Sequence, residues 1–174
     1  MNIPAIVDER DGMLLMALGS NLGDSPVVIR AAMQRIEQLA QRSGRRSSLW
    51  SSSPVECPPG SPRFVNAAMM LPLPTLFSPD RWLTTMQALE REFGRSAKIV
   101  MNEARSLDLD IISWGSVIQT SPALTLPHPR AAIRQFVLQP LSELCPNVVL
   151  PGQSRSITQL LGDCPPDPLL KRIE

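Results

Sequence analysis

Residues 107–111 read Leu-Asp-Leu-Asp-Ile, an alternation of period two that an extended strand satisfies and a helix does not. Successive side chains of a strand point to opposite faces, so Leu107, Leu109 and Ile111 share one side and Asp108 and Asp110 the other. The fold must therefore contain a sheet with one apolar face and one face carrying paired carboxylates. At about 3.3 Å rise per residue, those carboxylates leave the strand roughly 6 to 7 Å apart. Two like charges so placed favour a cation, and hard oxygen donors with room left for water and phosphate describe Mg²⁺. The same pair on an edge strand would also deter edge-to-edge pairing, and the strand alone does not choose between the two roles.

The remaining elements follow from apolar spacing and punctuation. Met13 to Leu18 is a short apolar run closed by Gly19, which reads as a buried strand entering the loop Ser20 to Asp24. Ser25 before Pro26 predicts a capped helix start, and Ile29, Ala32, Met33, Ile36 and Ala40 fall on one helical face. Residues 47–53 predict a strand leading into a proline-rich loop, and Phe64 to Leu73 the next strand. Ser78 and Pro79 repeat the cap signal before the stripe Trp82, Leu83, Met86, Leu89 and Phe93, which Gly94 can end. On that helix Gln87 and Glu90 lie three apart, and Glu90 reads as a solvated edge residue. Leu124 to Leu126 is a possible short strand, and a short helix is expected near Ala131 to Leu141 before a proline-rich end. Strand, helix, strand, then strand, helix, strand is the order of a two-layer α+β sandwich, helices on one face of an antiparallel sheet.

Composition narrows the class. The 174 residues suit a single domain, with about 13–160 as its core and extensions at both ends. A net charge of +1 lends no support to nucleic-acid or membrane binding, and an RNA-binding sheet is further disfavoured by 4% aromatics and no tyrosine. Asp8, Glu9, Arg10 and Asp11 precede any apolar stretch, the reverse of a secretory signal, so a cytoplasmic, monomeric protein is expected. Cys57, Cys145 and Cys164 lack metal-ligand or disulfide spacing and read as small core residues. No GxxxxGK loop occurs, and the one histidine has no hydrolytic partners in a recognisable arrangement.

Cations gather around the aspartate pair in sequence. Arg95 follows the second helix, Arg105 precedes Asp108 by three, and Arg130 and Arg134 flank a segment that starts with His128. Arginine stays charged and its planar fork matches phosphate oxygens, so the set suggests polyphosphate held between metal and guanidinium groups. No residue stands out as a general base.

Five segments taken together resemble 6-hydroxymethyl-7,8-dihydropterin pyrophosphokinases of folate synthesis. They are Ala17 to Asp24, Phe64 to Ala68, the Glu90 to Arg95 spacing, Arg105 to Ile111, and Leu126 to Arg130 followed by Arg134 to Leu141. The resemblance runs from about Leu15 to about Pro146. It implies a ferredoxin-like fold and transfer of the diphosphate of ATP to the pterin hydroxymethyl oxygen, with release of AMP. It also implies that Asp108 and Asp110 bind two Mg²⁺ ions, that Arg95, Arg105, His128 and Arg134 contact phosphates, and that Gln87, Glu90, Ile111 and Thr125 surround the nucleotide. Arg95, Arg105, Asp108 and Asp110 would be the catalytic set. By the same resemblance the pterin stacks between Phe64 and Phe136, with Asn66 and the backbone near Ser52, Ser53 and Val55 reading its polar edge.

The chain departs from the family pattern in two loops. Met101, Asn102, Glu103 and Ala104 stand where the family usually has Arg-Trp-Gly-Pro, and Ala97 where a second loop arginine is common. Ser52 replaces a threonine, and Glu56 a glycine. The alternative that these changes suggest is a pterin- or nucleotide-binding protein of the same fold with weakened turnover.

Overall fold

The computed structural model describes residues 12–95 and 104–174. Along the chain, β1 (Met13–Ser20) leads to α1 (Ser25–Ala40), then β2 (Arg45–Arg46), β3 (Trp50–Ser52), β4 (Phe64–Pro72) and α2 (Pro79–Glu92). After it come β5 (Asp108–Trp114), the short hairpin β6 (Gln119–Thr120) and β7 (Thr125–Leu126), a 3₁₀ turn Ala131–Ile133, α3 (Gln135–Leu144), α4 (Ile157–Asp163) and β8 (Lys171–Arg172). The main sheet is antiparallel in the order β5-β1-β4-β3-β8, with β2 also on β4. The four strands β5, β1, β4 and β3 with α1 and α2 make the expected ferredoxin-like sandwich.

One sheet face carries the larger core. Leu14, Met16 and Leu18 of β1, Met69 and Leu71 of β4, and Leu109 and Ile111 of β5 pack against Ile29, Met33 and Ile36 of α1 and Trp82, Met86 and Leu89 of α2. The other face is not left to solvent. Leu15, Ala17, Ala68 and Ile112 pack there against Val137, Leu138 and Leu141 of α3 and Ile157 and Leu160 of α4. Thus the C-terminal part adds a second helical layer, and α4, which the proline-rich end concealed, is fixed by a capping box of Ser156 and Gln159.

Two local expectations change. The cap of α1 is Asp24, whose carboxylate accepts from the Val27 amide, while Ser25 is the first helical residue and its hydroxyl accepts from Ser20 at 2.8 Å. Ser78 does cap α2, accepting from the Arg81 amide. The strand β5 keeps period two only to Ile112: its pairing with β1 shifts between Leu15 and Met16, after which Trp114 joins Ile111 on the α1/α2 side. Cys145 is a core residue as expected, its thiol pushed up to about 11 by burial.

Candidate active site

Register sets the floor of a cleft on the α3 side of the sheet. Asp108 pairs with Gly19, which pairs with Asn66, and Asp110 pairs with Ala17, which pairs with Ala68. Small residues on the central strand thus separate the acidic pair from β4. A Cβ on Gly19 would stand 3.6 Å from Asn66 Oδ1, 3.7 Å from a Phe64 ring carbon and 3.9 Å from the Asp108 Cβ. The cleft encloses about 140 Å³ and is walled by the loop after β3 on one side and by the segment from His128 to α3 on the other.

The acidic strand is gripped by arginine. Arg95 Nη1 and Arg105 Nη2 each lie 2.8 Å from a different oxygen of Asp108, and Arg95 also pairs with Glu90. Glu90 is not the solvated edge residue of the sequence reading. It is 6% exposed and accepts the Leu109 amide at 2.8 Å, so it ties α2 to the backbone between the two aspartates. Burial raises the Glu90 pKa above the usual range, against the pull of the Leu109 amide and Arg95. Burial, with Asp108 alongside, also raises Asp110, while His128, Arg134 and Arg105 draw it down less strongly. Burial lowers His128, opposed by the Asp110 charge. The buried Nε of Arg105 has no hydrogen-bond partner among the described residues, a donor left over for an anion.

Across the cleft, the His128 amide donates to Ile112 and its Nδ1 accepts from the Arg130 amide. Arg130 and Arg134 both reach Glu56, at 3.0 and 3.7 Å. Each aromatic ring carries a guanidinium over its face: Arg105 over Phe64 and Arg134 over Phe136, both at 5.5 Å. Asn66 is buried and donates to the Ser52 hydroxyl at 2.8 Å.

Most of the residues singled out in the sequence therefore meet. Ser52, Ser53, Val55, Phe64, Asn66, Arg105, Asp108, Asp110, His128, Arg134 and Phe136 all line one cleft. Arg95 and Glu90 stand behind Asp108 and Leu109 rather than in the lining. Gln87 is exposed on α2, Thr125 lies in the small hairpin, and the Ile111 side chain points into the opposite core. Cys57 and Arg130 also line the cleft. Cys57 corrects the expectation of a core thiol, and its position between prolines 54 and 58 was the available signal. Ala97, Met101, Asn102 and Glu103 lie outside the described residues.

The model of the 7,8-dihydro-6-hydroxymethylpterin-pyrophosphokinase family matches residues 15–146. The chain belongs to this family. A 2-amino-4-hydroxy-6-hydroxymethyldihydropteridine pyrophosphokinase of Pseudomonas aeruginosa is 38% identical over 151 residues, 86% of this chain and 90% of the relative. One from Haemophilus influenzae is 37% identical over 147 residues, 84% and 89% of the two chains. Among solved structures, the wild-type HPPK-DHPS of Plasmodium falciparum with pterin and p-hydroxybenzoate superposes with a TM-score of 0.61 at 11% identity, which speaks to the fold. That match covers 87% of this chain and 42% of the Plasmodium chain, so this pyrophosphokinase family member spans less than half of the larger protein. The family match ends at residue 146, and α4 and β8 lie beyond it.

Proposed function

We propose that this chain transfers the diphosphate of ATP to the hydroxyl of 6-hydroxymethyl-7,8-dihydropterin in folate synthesis, releasing AMP. The observation that carries the proposal is a single cleft in which the carboxylate pair of β5 faces both a cationic wall and two aromatic rings. A flat heterocycle gains stacking from Phe64 and Phe136, and Asn66 with the backbone of residues 52–55 offers polar groups to orient it. Arg105, Arg134 and His128, which line the same cleft, would bind the polyphosphate. Arg95 binds Asp108 and Glu90, so its part is to hold the acidic strand and supply positive charge behind it.

The donor set fits Mg²⁺. Asp108 and Asp110 present hard oxygens on one strand face, and no third acidic, histidine or cysteine side chain joins them into a closed cluster among the described residues. An ion that keeps water and takes substrate phosphate oxygens suits such a half-shell, and the Asp110 carboxylate, whose charge is disfavoured by burial and by Asp108 alongside, gains from a cation. Two ions held by Asp108 and Asp110 would neutralise phosphate charge and polarise the transferring group. The protein's own share is positioning: the arginines fix the phosphates, the rings fix the pterin, and small residues at positions 17 and 19 leave the floor open between them.

We further infer a single-domain, monomeric enzyme acting in the cytoplasm. The sheet joins β1 to β8, so both ends of the described chain share one fold, and no helix among the described residues is long and apolar enough to cross a membrane. The test is to incubate purified protein with ATP and the hydroxymethyl pterin, with and without Mg²⁺, and to measure AMP and pterin diphosphate together. Equal, metal-dependent yields are expected. Tight binding of both substrates with no product would instead establish a binding protein of this fold.

A further inference from the structure

The segment beyond the family match does more than extend the fold. Through β8 it adds a strand to the sheet edge, Lys171 opposite Ser51 and Arg172 opposite Trp50, and the Ile173 amide donates to Leu49. Just before that strand, Asp167 reaches both walls of the cleft. Its Oδ2 accepts the Ser53 amide and its Oδ1 the Ser53 hydroxyl, each at 2.8 Å, while its own amide donates to Gln135 Oε1 at 2.6 Å. Ser53 lies in the loop after β3, and Gln135 opens α3 between Arg134 and Phe136. One residue of the C-terminal segment thus spans the loop and the helix that face each other across the site.

We propose that Asp167 is a positioning residue for the heterocycle-binding end of the cleft, holding the Ser53 loop at a fixed distance from the start of α3. The inference rests on the pterin reading of that end. An ionised carboxylate suits this task because it accepts at both oxygens, here from Ser53 and, at Oδ1, also from the Leu169 amide at 2.9 Å. Burial works to raise its pKa, but the amides of Ser53 and Leu169, the Ser53 hydroxyl and the Arg63 charge together hold it below the usual carboxylate range. Arg63 also donates to the Leu169 carbonyl, which ties the turn down from the far side of the loop. The backbone that reads the pterin edge is thereby ordered before substrate arrives, so less freedom is lost on binding.

The test uses Asp167→Ala and Asp167→Asn in the full chain, with separate KM values for ATP and pterin, kcat, and amide hydrogen exchange at Ser53. Asp167→Ala should raise the pterin KM about tenfold, with the ATP KM and kcat within about twofold. Asp167→Asn, which retains one accepting oxygen, should fall between it and the unaltered chain. Ser53 exchange should quicken in the same order. Faster exchange at Ser53 with an unchanged pterin KM would overturn the proposal, as would equal rises in both KM values, the mark of general destabilisation. Failure of the pterin reading itself would show in the unaltered chain as absence of pterin-dependent turnover, whereas Ser53 exchange reports the clamp without any substrate.

Discussion

Asp108 and Asp110 look equivalent in sequence, yet the structure assigns them unequal work, and Asp110→Asn against Asp108→Asn separates the two. At about 6.6 Å apart and an effective dielectric of about 20, the pair repels by roughly 2.5 kcal/mol. Arg95 and Arg105 on Asp108 screen much of this, and His128 and Arg134 draw on Asp110, but burial together with Asp108 outweighs them and leaves a net penalty on the second charge. Removing it in Asp110→Asn should raise the thermal midpoint by about 2–4 °C when no divalent cation is present. Asp108→Asn takes the charge from between two guanidinium groups and should cost about 3 kcal/mol, a fall of about 6–12 °C. Both variants should lose Mg²⁺-dependent AMP release by at least about a hundredfold. Thermal unfolding in EDTA, followed by the AMP assay, measures each effect on the same protein. Equal destabilisation by the two variants would refute the unequal assignment, and retained turnover in Asp110→Asn would remove that residue from the chemistry.

Three further outcomes are expected. Gly44→Ala places a Cβ 2.8 Å from Leu71 Cγ and 2.9 Å from the Met70 carbonyl, so it should destabilise by about 1–3 kcal/mol in denaturant titrations while kcat holds at low temperature. Glu56→Gly removes a left-handed residue (φ 55°) together with its pairs to exposed Arg130 and half-buried Arg134, so the ATP KM should fall, by up to about fivefold; a rise would show that Glu56 helps to bind substrate. Strain relief of about 1 kcal/mol in that variant is offset by the added freedom of glycine in the unfolded chain, leaving the thermal midpoint nearly unchanged. Glu37 is held below the usual carboxylate range chiefly by its hydrogen bonds to Arg46, so its stabilisation is complete above the unfolded pKa and is lost as pH falls through the lower folded one. Glu37→Gln should therefore be less stable than the unaltered chain at pH 7, and the gap should close as unfolding is followed to about pH 3.

The sequence made the sheet and the acidic pair legible because each rests on local periodicity: the alternation at 107–111 and the apolar stripes of α1 and α2 needed no distant partner. The cleft lining was legible through segment resemblance, and residues as far apart as Ser52 and Phe136 do meet. Glu90 was misread because a helix-edge position looks solvated until β5 docks its Leu109 amide there. Asp24 displaced Ser25 as a cap because two adjacent capping residues offer the same local signal. Asp167 and α4 were invisible for a different reason: a short helix among prolines and a carboxylate 114 residues from Ser53 acquire their roles only by long-range contact.

The irregularity in β5 pairing bears on how reliably the chain assembles its reactive carboxylates. In a strictly regular strand, a slip of one residue against β1 keeps the ladder pattern except at the strand ends and exchanges the two faces, which would send Asp108 and Asp110 into the apolar layer under α1 and α2. Here the step between Leu15 and Met16 places Ile111 and Trp114 on the same side, a spacing that only one alignment satisfies. A slipped strand would lose the Trp114 contact with Trp82 as well as bury two charges. The bulge thus acts as a proofreading mark, so that a correctly folded core already certifies that the acidic pair faces the cleft.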